Sequence, residues 1–437
     1  MTPKLSPVPP ELQGKIVVPG DQRYRLLRST YTTVAGPAAV LLPGSTAEVA
    51  AALRFARERG LPLSVRSGGH GLSGRSSNDG GVVIDLSSMN RVQVIDRAAR
   101  LVRVEAGARW AQVAQALSPY GLAISSGDHG NVGAGGLATG GGIGWLVRHY
   151  GLTIDRIRAA EVVLADGTAV RADAEHEPDL LWAVRGAGAG AGIVVAFEIE
   201  AIELRDIGYA QIAVQVDRDG RALRRWADHL ASAPRELSTA VTLLPHSRSL
   251  VASITAVVAG GGEQRLRAAV EPLLRIGATL DQQAQIAPYS ALVSMAHLHA
   301  NVGQQPSMTT NGLLTAMTDE DAAAIVAVAS GPRRALVQLR SVGGAVNDVP
   351  ADATAYAHRR HGTLVVASVF PPGRGAALDV AWRPLAGRVD GAYVGFESRP
   401  DKDAFERIYP GATGDRVRHL WHRYDPDGVF GALWQLP

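Results

Sequence analysis

The distribution of glycine constrains this chain more than any other feature. Of 437 residues, 49 are glycine, and 17 of them fall in three loops between residues 68 and 192. The first loop, "SVRSGGHGLSG" (64–74), sets His70 between Gly69 and Gly71. The second, "GDHGNVGAGGLATGGGIG" (127–144), holds nine glycines. The third, "RGAGAGAGIVV" (185–195), alternates glycine with alanine. Glycine loses more backbone freedom on folding than any other residue. Three such loops in one domain are therefore costly unless a ligand uses them. Small residues let backbone N–H groups point inward and bind an anion such as a pyrophosphate. A large, flat, phosphate-bearing cofactor accounts for all three loops. Taken singly, the first reads equally as a tight turn with a surface histidine, and the third as a flexible turn.

The second loop contains "GAGGLA" (133–138), a relaxed GxGxxA dinucleotide pattern. That pattern has meaning only after a strand and at a helix start. Gly140, Gly141, Gly142 and Gly144 follow, and each glycine costs a helix about 1 kcal/mol relative to alanine. The stretch 127–144 is expected to form neither regular helix nor strand, and a Rossmann site is rejected. Asp155 has the spacing of a ribose-binding acid but precedes a strand instead of ending one. A backbone cradle for phosphates on a different fold survives.

A chain of 437 residues exceeds one ordinary core and implies two domains, with room for one to be split. Lys plus Arg is 44 and Asp plus Glu is 41, so no concentrated cationic surface recommends a nucleic-acid partner. No apolar run is long enough to span a membrane, and the first 15 residues lack the apolar stretch of a secretion signal. The cytoplasm is the expected compartment. The absence of cysteine excludes disulfides, thiolate metal sites and cysteine nucleophiles. No metal is expected: His297 and His299 form HxH without an acidic partner nearby, and His358 and His361 read as solvated in a basic loop. The richness in Ala, Gly and Arg suits a GC-rich bacterium.

Periodicity divides the chain near residue 206. Before it, "TAEVAAALRFARERG" (46–60) reads as a helix stopped by Gly60, and "RWAQVAQALSPYG" as a helix stopped by Gly121. "LPLSVRS", "GGVVIDLSSM" and "LAISS" read as strands. "RVQVIDRAARLVRVEAGA" and "RAAEVVLADGTAVRADA" read as hairpins, the second turned by Asp166–Gly167. This is an α+β domain of short strands. After it, long strands ("YAQIAVQVD", "SLVASITAVVAG", "ALVQLRSVGG", "GTLVVASVF") alternate with amphipathic helices. They predict one antiparallel sheet with helices on one face. The tail "YDPDGVFGALWQLP" resembles neither texture and is expected to pack back on the first domain.

Five blocks in order carry a family resemblance. "PLSVRSGGHGLSGRSSNDGGVVIDLSSMNRV" resembles the flavin-attachment segment of the berberine-bridge-enzyme-like branch of the vanillyl-alcohol-oxidase superfamily. "GDHGNVGAGGLATGGGIGWLVRHYGLTIDRI", "DLLWAVRGAGAGAGIVVAFEIE", "GGAVNDVPADATAYAHR" and "RYDPDGVF" are similar to that family's later blocks. The resemblance implies a PCMH-type FAD-binding domain made from both chain ends: residues 1–205, with a core at about 36–205, and a returning segment, 390–437. A substrate domain, 206–389, lies between. It implies FAD bonded to His70, whose flanking glycines bring the imidazole against the ring system. It also implies Arg66, Ser67, Gly68, Gly69 and Gly71 around the flavin and pyrophosphate. From the second loop it adds Gly133, Gly135, Gly136, Leu137, Thr139, Gly140, Gly141, Gly142 and Gly144. Gly192 and Val194 fall on the adenine side. Val132 stands where the family uses a small residue to admit dioxygen.

Departures from the family refine the expectation. His129 occupies the place of a second, cysteine tether, so one covalent bond is expected, as in single-bond bacterial members. That disfavours an oligosaccharide substrate mildly. The strand "TLVVASVF" offers only Ser368 where members often carry a base, and the tail keeps Gln435 as its only amide. Pocket candidates are Tyr393, Tyr409, Gln338, Arg340 and Ser368, each with a structural alternative, and no catalytic residue is assigned. A missing base suits an amine, which can react neutral, better than an alcohol. The expected activity is an FAD-dependent oxidase acting on a C–H bond beside N or O of a small molecule, with dioxygen as acceptor. A dehydrogenase, a natural-product tailoring enzyme and a non-catalytic FAD-binding protein remain the alternatives.

Overall fold

The structure is a computed structural model that describes residues 5, 7–246, 249–294, 306–333, 335–371, 374–399 and 401–430. Gln435, His297 and His299 lie outside the described residues. A four-stranded sheet comes first, in the order Ile16–Val17, Ala39–Leu41, Val82–Asp85, Leu63–Arg66, with its last three strands parallel. The helix Thr46–Glu58 follows one of these strands. It starts at Ser45, whose hydroxyl accepts the Glu48 N–H at 3.3 Å. It buries Val49, Ala52, Leu53 and Ala56 at helical spacing. A five-stranded antiparallel sheet is next, in the order Val92–Asp96, Leu101–Glu105, Ile193–Glu200, Ile157–Val163, Ala169–Ala172.

The middle of the chain forms a seven-stranded antiparallel sheet. Its order is Thr279–Pro288, Asp206–Val216, Ser249–Ala259, Leu237–His246, Leu336–Ser341, Thr363–Val369, Met308–Leu314. One face carries Ile212, Ile254, Val241, Leu339 and Val365. It packs beneath the helices Arg221–Ser232, Glu263–Val270, Asp319–Ser330 and Gly375–Trp382. The opposite face meets the first part of the molecule at one end, where Leu313, Leu364 and Val366 join the first core. Arg148 reinforces this junction. Its guanidinium donates to the carbonyls of Leu230 (2.7 Å), Pro234 (3.1 Å) and Leu237, at and beyond the end of Arg221–Ser232.

The chain end returns to the first core. The helix Ala412–Tyr424 lies on Pro178–Ala187. Trp421 donates its indole N–H to Ala187 O at 2.8 Å, and the Tyr424 hydroxyl donates to Glu177 at 2.7 Å. The fold class is the one anticipated: an α+β domain fed by both chain ends, and an antiparallel sheet with helices on one face. No helix among the described residues is long and apolar enough to cross a membrane.

Three local readings need correction. "LAISS" contributes only Leu122–Ala123 as strand, because Ser125 turns to donate its hydroxyl to Gly151 O at 2.8 Å. His358 and His361 are buried, not solvated. The stretch 127–144 does contain a helix, Ala134–Gly140. Tertiary contacts overcome its poor propensity, and those contacts organise the site.

Candidate functional site

All three glycine loops converge on the short helix Ala134–Gly140. The first loop meets it backbone to backbone. A Cβ built on Gly68 would lie 2.2 Å from Gly133 N, and one on Gly133 would lie 2.1 Å from Gly68 N. Only glycine at both positions allows this approach. Ser67 completes the contact: its hydroxyl accepts the Gly135 N–H at 3.2 Å and donates to Ala106 O at 2.5 Å. Arg109 donates to Gly68 O at 2.8 Å and to Asn131 O, tying the two loops together. The third loop arrives at Gly188, whose Cβ would sit 2.9 Å from Thr139 Cβ. The C-terminal segment arrives at Tyr393, whose buried hydroxyl accepts the Gly142 N–H at 3.1 Å.

His70 stands at the rim of this junction, half-buried. Its ring stacks on Tyr31 with centroids 4.8 Å apart and planes 13° apart. The Tyr31 N–H donates to Gly69 O at 2.8 Å, so the platform and the loop are fixed together. In the same loops, Gly71 and Gly136 have no atom of the described residues outside their own local backbone within 4 Å of where a Cβ would be. Neither carries a positive φ, so neither backbone conformation nor protein packing demands glycine there. A flat ligand lying on those two Cα faces does. The cradle therefore fits FAD, with the His70 imidazole at its edge.

The other predicted residues divide by location. Arg66 is turned away from the cradle. Its guanidinium is buried against Asp85 (2.7 Å), Ser29 O (3.1 Å) and Leu27 O, clipping residues 27–29 to the sheet. Leu137, Gly140, Gly141, Gly142 and Gly144 pack against protein: Leu137 on Gly127 and Gly142, Gly140 on Val394, Gly141 on Tyr393, Gly144 on Ser126. Gly192 and Val194 face Val162, Val163 and the first core. Val132 is half-buried, and its carbonyl accepts the Trp110 N–H. His129 is exposed. Tyr409 is a core residue that donates to Gly186 O at 3.0 Å. Gln338, Arg340 and Ser368 project from the seven-stranded sheet on the face that meets the first domain.

Sequence reasoning missed Asp128. It lies in the second glycine loop and forms a buried ion pair with Arg340, joining that loop to the large sheet. Burial alone would raise its carboxyl; the Arg340 guanidinium, helped by His129, outweighs this and holds it at about 2. The Arg340 guanidinium also lies over the Phe396 ring, 4.9 Å from its centroid. Asn311 was missed as well. Its side-chain amide accepts the Tyr393 N–H at 2.7 Å and donates to Tyr393 O at 3.1 Å, fixing the tyrosine that holds Gly142. Neither residue has a local motif. Each acts on a partner more than 80 residues away.

Residues 37–173 match the FAD binding domain family. The (R)-6-hydroxynicotine oxidase of Paenarthrobacter nicotinovorans is 36% identical over 206 residues, which are 47% of this chain and 44% of that protein. Among solved structures, a chitooligosaccharide oxidase is 25% identical with a TM-score of 0.84, covering 96% of this chain and 97% of the other. The BBE-like 1 protein of Physcomitrella patens is 20% identical with a TM-score of 0.85 over 98% of both chains, a likeness of fold. Fold and cradle thus define a flavoprotein with a PCMH-type FAD-binding domain. Over residues 37–173 the chain is similar to the FAD binding domain family, and the relatives it resembles are named oxidases and FAD-linked oxidoreductases.

Proposed function

We propose that this protein is an oxidase carrying FAD on a single bond to the His70 imidazole. Its partners are a small organic substrate and dioxygen. Bound FAD would supply the redox chemistry, oxidation of a C–H bond beside nitrogen or oxygen with dioxygen as acceptor and hydrogen peroxide as product. The observation that carries the reading is the cradle, where two glycine loops touch at Gly68 and Gly133, with His70 half-buried and Gly71 and Gly136 exposed in those loops. The names of the relatives, an oxidase of 6-hydroxynicotine and an oxidase of chitooligosaccharides, support it.

The chain's own residues hold and orient. Ser67 and Arg109 fix the first two loops, Thr139 sets the third, and Tyr31 keeps the His70 ring in one plane. The groups near the junction of loop and sheet are spoken for. The Tyr393 hydroxyl accepts from the Gly142 N–H, and Arg340 is paired with Asp128. Gln338 and Ser368 are neutral. This set contains no positioned base, which suits a substrate that needs no proton removed before hydride leaves.

Acid precipitation tests the attachment. Yellow colour should stay in the pellet for the natural protein and move to the supernatant for His70→Ala; colour retained by His70→Ala overturns the bond. Air reoxidation of the dithionite-reduced protein tests the oxidase. Return within seconds with peroxide released is expected, whereas persistence for minutes indicates a dehydrogenase. Gly136→Ala tests the cradle. Replacing a helical glycine should stabilise the flavin-free fold by about 0.5–1 kcal/mol, yet lower flavin incorporation. A variant with full flavin content would remove Gly136 from the cradle.

A further inference from the structure

The seven-stranded sheet has two outer strands, and they are finished differently. Met308–Leu314 is sealed by its own chain. Leu313 exchanges two backbone bonds with Asp390, both 2.8 Å, and the Ser398 N–H donates to Thr309 O at 3.1 Å. Arg407 donates to Asn311 O. The opposite edge, Thr279–Pro288 ("TLDQQAQIAP"), pairs with Asp206–Val216 on one side, and no strand among the described residues pairs with the other. It is ten residues long and exposed from Thr279 to Ile286. Unpaired edges are normally kept short, charged or interrupted by proline, because a free row of N–H and C=O groups templates another strand. The five-stranded sheet follows that rule. Its edges, Val92–Asp96 and Ala169–Ala172, are five and four residues long and carry Asp96 and Arg171. Thr279–Pro288 has one charge, Asp281, and no proline before its last residue. It also exposes two large apolar side chains, Leu280 (50%) and Ile286 (38%).

The hydrogen-bond phase of this edge is fixed. The Tyr289 N–H donates to Arg205 O at 2.9 Å, one step beyond the Asp206–Pro288 pair. Antiparallel ladders alternate, so Asp281, Gln283, Gln285 and Ala287 aim their backbone groups at Asp206–Val216, and Gln282, Ala284 and Ile286 aim theirs outward. Gln282 shows this directly: its N–H donates not to the ladder but to the Asp281 carboxylate at 2.8 Å. A second copy approaching about a two-fold axis must set outward groups opposite outward groups. The register centred on Ala284 does so. Ala284 meets its own copy through two bonds, and Gln282 and Ile286 meet through four, two of which require the Gln282 N–H to leave Asp281. A register centred on Gln282 would draw in Leu280, where the existing ladder is irregular. One centred on Ile286 would oppose Pro288, which has no N–H. In the Ala284 register the facing side chains are compatible: Ala284 opposes Ala284, Ile286 the Gln282 stem, Gln283 Gln285, and Asp281 Ala287. No charge stands opposite a like charge.

We propose that Thr279–Pro288 is a dimerisation edge, on which a second copy of this chain continues the sheet through a two-fold axis at Ala284. The inference is independent of the flavin and substrate reading. A strand pair is small beside the ~1,200–2,000 Å² of standard stable interfaces, so association should follow concentration. Sedimentation velocity of the flavin-loaded protein between about 1 and 100 µM should show the 45.9 kDa chain converting to a species of twice that mass. Ala284→Pro removes an outward N–H that the chain's own ladder does not use. Ala284→Lys sets two ammonium groups face to face across the axis. Each should weaken dimerisation by about tenfold or more, with flavin content unchanged as the sign that the variant has folded. The chain has no cysteine, so one introduced thiol reports the register. Cα atoms of a hydrogen-bonded antiparallel pair lie ~5.5 Å apart, within disulfide reach. Leu280, by contrast, would lie about 27 Å from its own copy. Oxidised Ala284→Cys should therefore form a covalent dimer about tenfold or more faster than Leu280→Cys. Monomer alone at the highest concentration, a dimer that both Ala284→Pro and Ala284→Lys leave intact, or equal cross-linking at the two positions overturns the proposal.

Discussion

The molecule contains two antiparallel sheets that each bury one side, and their other sides could hardly differ more. The five-stranded sheet of the first domain turns a checkerboard of arginine and glutamate outward, from Arg103–Glu161 to Arg171–Glu198 and Arg158–Glu200. The seven-stranded sheet turns neutral amides and hydroxyls into the cleft and keeps one ion pair, Asp128–Arg340, at its junction with the glycine loops. Exposed pairs are worth little individually, about 0–1 kcal/mol. A buried pair is different, because each ion has given up its water. The same chemistry, arginine beside a carboxylate, is therefore a solvated surface in one sheet and a fixed joint in the other.

The joint is where the contrast can be broken most severely. Arg340→Met leaves the Asp128 carboxylate buried without its counter-ion. A loss of about 3–5 kcal/mol is expected, read by chemical denaturation, together with reduced flavin content because the second glycine loop loses its anchor on the sheet. Asp128→Asn together with Arg340→Met should recover much of that loss. The pH dependence has a defined sign. The Asp128 carboxyl is held at about 2, below its ordinary value, so its contribution is complete above about pH 4 and lost as pH falls toward 2. An Arg340→Met protein as stable as its parent would mean the pair is not a joint.

Gly68→Ala comes next. The new methyl would lie 2.2 Å from Gly133 N, a backbone atom that cannot swing aside. About 1–3 kcal/mol of overpacking is expected, with flavin incorporation falling alongside thermal stability. Gly71→Ala is the control, since its methyl meets no atom of the described residues beyond its chain neighbours. Flavin loss without loss of flavin-free stability there would separate the cradle from the fold.

The fold was legible where hydrophobic period and glycine punctuation agree. The helix Thr46–Glu58 and the strands Asp206–Val216 and Ser249–Ala259 lie where their apolar spacing put them. The outer strand Thr279–Pro288, "TLDQQAQIAP", was not legible. It is exposed on both sides and carries no buried alternation to read. The helix Ala134–Gly140 was hidden for the opposite reason: its stability comes from Ser67, Thr139 and Tyr393 contacts, not from local propensity. The three glycine loops stood out in the sequence, and the structure brings them together at Ala134–Gly140. Arg66 looked like part of the cradle because it precedes it, yet its side chain follows the strand alternation inward to Asp85. Asp128 and Asn311 could not be found, because their partners are set by topology alone.

His358 gives a smaller, pH-gated test of the buried side of the comparison. Its ring is buried against Gly391, edge-on to Tyr356 and 5.7 Å from His361, with Nε2 3.1 Å from Ile408 O. Arg360 and Asp390 face the same pair. Burial, and then His361, push its imidazole down to about 4. The neutral ring thus stabilises the fold fully above about pH 6.5, and this contribution fades as pH falls toward 4. His358→Gln should cost less than about 2 kcal/mol at pH 7 and lose stability less steeply than its parent between pH 6.5 and 4.5. Parallel curves would show that His358 does not titrate on unfolding.

Arg171→Ala should do least, and its smallness is the sharpest use of the contrast. Arg171 pairs with Glu198 and Asp173, yet it is about half exposed. Water hydrates all three ions nearly as well apart as together, and salt screens them further. Less than about 1 kcal/mol should be lost at low salt, and less still in 0.5 M sodium chloride, with flavin content unchanged. Gln338→Glu makes the reciprocal change, adding a charge to the half-buried face of the large sheet, and it should cost more than the loss of Arg171. If Arg171→Ala cost as much stability as Gln338→Glu, the two open faces would not differ in their exposure to water, and the composition of a sheet face would be no guide to what lies on it.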